Sequence, residues 1–249
     1  MKNNENILDH FIDGGKWFKT YRAIWFALAF IITIYLGFQQ LLEPENLWWM
    51  TAIFVVTALL GYFCVSSLAD RSPLMGNVLG LASNIGEVFT QLVFGNVGMA
   101  CAAIYYGITH VLGFFTWTDK KNQTDDGKIM VSNLTKMGAI LTLVFTVIGI
   151  FVVSQYGAIF NMDTTNSFIY WMNIIAFVVG ILAQFTMIMR KPFSWVLWAI
   201  TNVIWFTLNV QSGNYIFAAQ SVLYEVNAVL AIYAWYKAAN VDNNAVTTL

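Results

Sequence analysis

Stretches of about 20 apolar residues, one after another from Tyr21 almost to the end of the chain, constrain this sequence more than any other feature. A bilayer's hydrocarbon core is about 30 Å thick, and a helix crosses it with about 20 apolar residues. The stretches fall at 21–41, 47–67, 75–92, 97–117, 134–155, 167–189, 194–210 and 215–236, divided by polar residues, Gly or Pro. They predict an all-α integral membrane protein with eight transmembrane helices. Only 10% of the 249 residues are charged, against about 25% in a soluble domain, which leaves no room for a large soluble domain. The first stretch is followed by Leu41, Leu42, Glu43 and Pro44 without a small-residue cleavage site, so it reads as a retained helix rather than a signal peptide.

The connections between stretches alternate in charge. Those after the odd-numbered helices carry Glu43 and Glu45, Gly95 and Asn96, Asp163, and Gly213 and Asn214, without a Lys or Arg. All 12 Lys and Arg residues fall on the other side: Lys2, Lys16, Lys19 and Arg22, then Arg71, the group Lys120, Lys121, Lys128 and Lys136, the pair Arg190 and Lys191, and Lys237. Short basic loops stay in the cytoplasm, so both termini are expected there. Seven or nine helices would scatter the basic residues over both faces, so charge supports the helix number independently of hydropathy.

A shift of 118 positions aligns Val78–Asp119 with Val196–Lys237 without a gap. Asn84 then falls on Asn202, Gly95 on Gly213, Asn96 on Asn214, Tyr106 on Tyr224 and Trp117 on Trp235. Upstream, Trp49-Met50 meets Trp171-Met172 at a shift of 122. Helices 2 to 4 therefore read as duplicated in helices 6 to 8. A single helix separates the copies, so the second starts from the same membrane face and the repeats are expected to be parallel, a plan that places solute sites near the midplane between repeats. The expected organisation is 1–45 for the cytoplasmic amino terminus and extra helix, 46–118 for the first repeat, and 119–160 for a cytoplasmic loop and linker helix. The second repeat spans 161–237 and a cytoplasmic tail 238–249.

Polar side chains within a bilayer face the bundle interior or a wet cavity. In helix 3, Asn77, Gly80, Asn84, Glu87 and Gln91 recur at spacings of 3 and 4, which keeps them on one helical face. Their counterparts in helix 7 are Trp195, Trp198, Asn202, Trp205 and Asn209. Helix 8 adds Gln220, Tyr224 and Asn227, helix 4 adds Tyr106, and helix 6 adds Asn173 and Gln184. Converging, these faces would form a cavity of aromatic surface and directed hydrogen-bonding groups, suited to a flat heteroaromatic ring on a polyhydroxyl part. The stripes hold no Lys or Arg and no phosphate-cradling Gly-rich loop, which favours an uncharged or cationic solute over a phosphorylated one.

Helix packing is the competing role for each Asn and Gln, since interhelical hydrogen bonds average about 0.6 kcal/mol. Glu225 points away from the Tyr224 face, and His110 reads as a hydrogen-bonded packing histidine. Trp17, Trp48, Trp49, Trp117 and Trp235, near helix ends, read as interfacial anchors, and Trp195 is close enough to an end to share that reading. Cys64 and Cys101 have no metal or disulfide spacing. An enzyme would need a nucleophile with its base or a metal set, and His10 and His110 are far apart with no His-Glu-x-x-His spacing. No catalytic residue, metal site, cofactor or nucleic-acid partner is expected. The remaining alternatives to a carrier are a solute channel, which would not saturate, and a structural or sensory membrane protein, which would bind no aromatic vitamin.

The residues from Asp163 to Lys237 resemble the PnuC family of bacterial vitamin transporters, whose best-known members carry nicotinamide riboside. The resemblance rests on Asp163, Gln184, the turn Arg190-Lys191-Pro192, the Trp195-x-x-Trp198 element with Asn202, Gly213-Asn214, Tyr224 and Trp235. It extends through helices 2 to 4. It implies two three-helix repeats joined by a linker helix, similar to the sugar-transporting SWEET proteins, with the extra first helix matching eight-span members. It implies facilitated diffusion of nicotinamide riboside across a bacterial inner membrane, with a cytoplasmic kinase trapping the vitamin as its phosphate. Relatives carry thiamine or riboflavin, so those solutes stay open. A homo-oligomer is also implied, with a trimer one form open to it.

Overall fold

The computed structural model describes residues 7–12, 14–44, 46–156 and 165–246, and the expected loop residues Glu45 and Asp163 lie outside them. The described residues form eight α-helices: α1 Lys16–Leu41, α2 Trp48–Ala69, α3 Met75–Val93, α4 Val97–Thr118, α5 Lys136–Tyr156, α6 Ser167–Ile188, α7 Phe193–Gln211 and α8 Tyr215–Val246. Short 3-10 turns at Ile7–Phe11 and Lys120–Asn122 flank α1 and follow α4. Seven of these helices are long and apolar enough to cross a membrane. The other, α3, has 19 residues, but the polar stripe from Asn77 to Gln91 dilutes its apolarity while it packs between α2 and α4.

Local chemistry sets the helix ends. Asn166 caps α6, its Oδ1 accepting from the backbone N–H groups of Phe168 and Ile169. Pro192, whose fixed φ suits a first turn, opens α7. The turns α3–α4 and α7–α8 reverse through Gly95 at φ 72° and Gly213 at φ 76°, the left-handed geometry that glycine adopts without a steric cost. At the opposite end of the bundle, the turns α2–α3 and α6–α7 put Arg71 at φ 60° and Arg190 at φ 59° in the same geometry. An arginine there costs about 1–3 kcal/mol that glycine would not, so its side chain must contribute something in return.

Each three-helix group packs in sequence, α2 on α3 on α4 and α6 on α7 on α8. The groups meet where α4 touches α6 and where α2 touches α8. The same contacts recur in both. Trp117 Nε1 donates to Ile188 O at the end of α6 (3.1 Å), and Trp235 Nε1 to Ala69 O at the end of α2 (3.1 Å). Asn96 Nδ2 donates to Gln91 Oε1 (2.9 Å), and Asn214 Nδ2 to Asn209 Oδ1 (3.1 Å). Outside the two groups, α1 lies on α2 and α8 with Trp25 Nε1 donating to Leu223 O, while α5 leans on α6 and buries none of its described residues.

Three features depart from the sequence reading. Trp117 and Trp235 are fully buried rather than interfacial, because each indole N–H has a carbonyl partner inside the bundle. The helix expected to end at 236 runs on to Val246, since the polar residues after Lys237 end the apolar stretch without breaking backbone hydrogen bonding. The connection after α4 is not a simple solvated loop: Ile129 and Val131 are buried in the cluster that contains Trp117, Trp195 and Trp235.

Among the described residues, Arg22, Arg71, Arg190, Lys191 and Lys237 gather at one end. Arg22 pairs with Asp70 (2.5 Å), Arg71 with Asp242 (3.4 Å) and Lys237 with Asp9 (2.6 Å). Arg190 Nη1 donates to Asn122 O at 3.5 Å and Lys191 Nζ to Ser132 Oγ at 2.7 Å. There burial, with the neighbouring Arg190 charge, holds the Lys191 ammonium below the usual lysine range.

Candidate functional site

Six helices wall one cavity between the two groups, with about 60 Å³ open to the centres of water molecules. Gly61, Cys64, Val65 and Leu68 come from α2, and Gly80, Ser83, Asn84 and Glu87 from α3. Tyr106 and His110 project from α4, Gln184 and Met187 from α6, and Tyr224 from α8. From α7 come Trp195, Trp198, Asn202 and Trp205, which recur at helical spacing on one face.

The aromatic wall is built around Tyr106. Its ring centroid lies 5.2 Å from Trp198 and 6.0 Å from Trp205, and the two indoles are 5.7 Å apart in edge-on arrangement. Such inclined pairs hold one another while leaving ring faces free to meet a planar solute. Four buried polar atoms around the cavity have no hydrogen-bond partner among the described residues: Tyr106 Oη, Gln184 Nε2, Trp195 Nε1 and Trp205 Nε1. An unpaired buried group costs about 1–3 kcal/mol, so these four atoms are left to a partner that the described helices do not supply.

On the α3 side, the hydrogen bonds set orientation. Asn77 Nδ2 donates to Pro73 O (3.1 Å), which turns its Oδ1 toward His110 Nδ1 at 3.1 Å. That polarity puts a proton on Nδ1. The imidazole packs against Gly80, where any β-carbon would collide with the ring. Asn84 Nδ2 donates to Gly80 O (2.7 Å) and Asn202 Nδ2 to Glu225 Oε2 (3.3 Å), so Glu225 positions Asn202 from behind. Glu87 lines the cavity, and no Lys or Arg does so among the described residues.

Residues 51–237 match the family described as nicotinamide mononucleotide transporter. The chain belongs to that family. It is therefore a transporter and not an enzyme. The nicotinamide riboside transporter PnuC of Haemophilus influenzae is 22% identical over 233 residues, which cover 93% of this chain and 95% of that protein. The crystal structure of the vitamin B3 transporter PnuC shares the fold with a TM-score of 0.71 at 18% identity, covering 88% of this chain and 92% of that one.

Within this transporter fold, nine of the residues expected at the site line the cavity: Asn84, Glu87, Tyr106, Gln184, Trp195, Trp198, Asn202, Trp205 and Tyr224. Five others lie outside it. Gln91 and Asn209 accept from the turn residues Asn96 and Asn214. Asn173 donates to Ile169 O one turn back in its own helix. Gln220 Nε2 donates to Ala58 O (2.9 Å), and Asn227 Nδ2 to Val65 O (3.3 Å), both joining α8 to the α2 backbone. Asn227 Oδ1 also accepts from Arg22 of α1. The sequence reading did not assign Gly61, Cys64, Ser83, His110 or Met187 to this wall. His110 and Gly80 are the pair with a readable signal, a histidine one helical turn from the cavity tyrosine Tyr106 and a glycine on the polar stripe.

Proposed function

We propose that this protein carries nicotinamide riboside across a bacterial inner membrane by saturable facilitated diffusion. The observation that carries the reading is the charge of the cavity: one carboxylate, Glu87, an aromatic wall, and no Lys or Arg among the described lining residues. The pyridinium ring of the riboside is flat and cationic, which suits indole faces by about 0.5–2 kcal/mol per contact and suits a carboxylate by charge. Its ribose hydroxyls and carboxamide match the unpaired polar atoms of Tyr106, Gln184, Trp195 and Trp205.

The matching family is described by the mononucleotide and the Haemophilus relative by the riboside. A phosphate monoester brings close to two negative charges, which have no cationic partner in this cavity and a carboxylate beside them. That favours the riboside. Since about 60 Å³ holds a few water molecules rather than a nucleoside, solute entry requires the walls to part, the behaviour of a carrier rather than an open channel. The recurring contacts support reading residues 46–118 and 161–237 as parallel repeats, and the one-sided basic residues support cytoplasmic termini. Net uptake then rests on phosphorylation of the vitamin inside the cell, and the working form is a homo-oligomer with a trimer among its forms.

A titration of purified protein with nicotinamide riboside, its mononucleotide, thiamine and riboflavin tests the reading. Saturable binding of the riboside ahead of the other three supports it. Tighter binding of thiamine, riboflavin or the mononucleotide overturns the choice of solute.

A further inference from the structure

Cys64, Leu68, Met187 and Trp195 line the cavity, and the same four belong to the apolar cluster that holds Ile129 and Val131. The side chains beneath the cavity on its basic side are thus packed against a segment that belongs to neither three-helix group. Ile129 is 0% and Val131 2% exposed, although the segment around them is polar and forms no helix, only an isolated antiparallel bridge between Ile129 and Gln123.

That segment is slung between the two groups. Ile129 N donates to Arg71 O at 3.1 Å and Ser132 N to Arg190 O at 3.3 Å. These acceptors are the equivalent left-handed arginines that terminate α2 and α6. The arginine side chain explains why glycine does not occupy the Arg71 turn: Nη1 also donates to Ile129 O (3.2 Å) and pairs with Asp242 (3.4 Å). Asp242 Oδ2 accepts from Val131 N at 2.9 Å, so the extension of α8 beyond the apolar stretch holds the same segment. Lys191 Nζ completes the attachment at Ser132 Oγ.

We propose that residues 129–132 are the gate of the basic face, a strap that lifts off the Arg71 and Arg190 turns to open the cavity on that side. The strap withdraws two aliphatic side chains and a few hydrogen bonds whose partners lie near solvent at the bundle end, whereas parting the helices breaks the buried Trp117 and Trp235 bonds. Local openings follow the route with fewest buried contacts. The proposal rests on the transporter reading for its purpose, but the opening itself is measurable without a solute.

Cys64 is the reporter, since it lines the cavity and is 5% exposed. In a Cys101→Ser background, a membrane-impermeant maleimide is applied to the basic face of oriented vesicles, and Cys64 labelling is quantified by peptide mass spectrometry. Asp242→Ala and Ile129→Ala are expected to speed labelling at least tenfold from that face alone. In the pair Ser132→Cys with Lys191→Cys, cross-linking the two thiols is expected to cut riboside uptake at least tenfold, and cleaving the link to restore it. Parental labelling rates in both loosened variants, or full-rate uptake by the cross-linked protein, overturns the gate. A parent that takes up no riboside counts against the choice of solute instead, and the labelling result then decides the gate by itself.

Discussion

The hydroxyl of Tyr224 in α8 occupies the space where a β-carbon on Gly61 of α2 would stand. The equivalent tyrosine, Tyr106 of α4, meets Gly180 of α6 in the same way. Each glycine admits a cavity tyrosine across the seam between the two groups, so the missing side chain is part of the site.

Gly61→Ala is therefore expected to push Tyr224 out of place and to destabilise the protein by about 1–3 kcal/mol, the usual cost of overpacking. Tyr224→Phe removes the colliding oxygen, so the double variant should recover part of the loss. Thermal unfolding of the four proteins in detergent measures the coupling, which should be about 1 kcal/mol or more. Additive losses would mean that Tyr224 moves aside without strain.

Trp198 and Asn202 are expected to contact the solute. Asn202→Ala removes directed hydrogen bonds at a cost of about 1–3 kcal/mol, roughly a 5- to 150-fold rise in Kd. Trp198→Ala removes a stacking face that Tyr106 and Trp205 flank. Glu225→Gln should give a smaller loss than Asn202→Ala, because it loosens Asn202 without deleting it. Binding titrations of folded variants check the order, and parental affinity in all three would reassign these residues to packing.

Asn96 and Asn214 hold the two turns that reverse through Gly95 and Gly213, donating to Gln91 and Asn209. Replacing either with Ala strands a buried oxygen and should cost about 1–3 kcal/mol of stability. Riboside affinity should stay within about twofold, since neither turn lines the cavity. A large affinity loss at unchanged stability would bring these turns into the site.

The sidedness of the basic residues makes a topological prediction. A cysteine at Asn46 should react with impermeant reagent from outside intact cells, and one at Asn122 should not. Asn122 lies among the basic contacts, its carbonyl accepting from Arg190, so outside labelling there would reverse the proposed orientation.

The helices were legible because apolar length and polar punctuation register directly in residue order. The α3 and α7 faces were legible because helical spacing put Glu87 beside Asn84, and Trp198 beside Asn202 and Trp205. What residue order did not convey is which end of a stripe lines the cavity: Gln91 and Asn209 sit on those faces but are taken by turn residues 5 positions on. Gln220 and Asn227 look equally polar, yet α2 carbonyls engage them. The α2 wall was silent because its contributions, Gly61, Cys64, Val65 and Leu68, are small or apolar and leave no polar stripe. Ile129 and Val131 were read as loop because two aliphatic residues in a polar segment make no periodic pattern, and only the helix ends around them create the place they fill.

The cavity's charge yields the sharpest expectation. With Glu87 on the wall and no Lys or Arg beside it, a phosphate monoester loses hydration and gains only repulsion on entry. The riboside's cationic ring is attracted by the same carboxylate. The parent protein should therefore prefer the riboside over its mononucleotide by well over tenfold, a gap above about 1.4 kcal/mol. Glu87→Gln keeps the shape while removing both the attraction and the repulsion, so riboside affinity should fall, mononucleotide affinity should rise, and the gap should narrow. Competition binding in a phosphatase-free preparation reads both arms. Equal competition by the mononucleotide in the parent would refute the electrostatic account. A wide preference unchanged in Glu87→Gln would assign selectivity to the shape of the Trp198, Trp205 and Tyr106 wall, and leave Glu87 a role in holding α3 within the bundle.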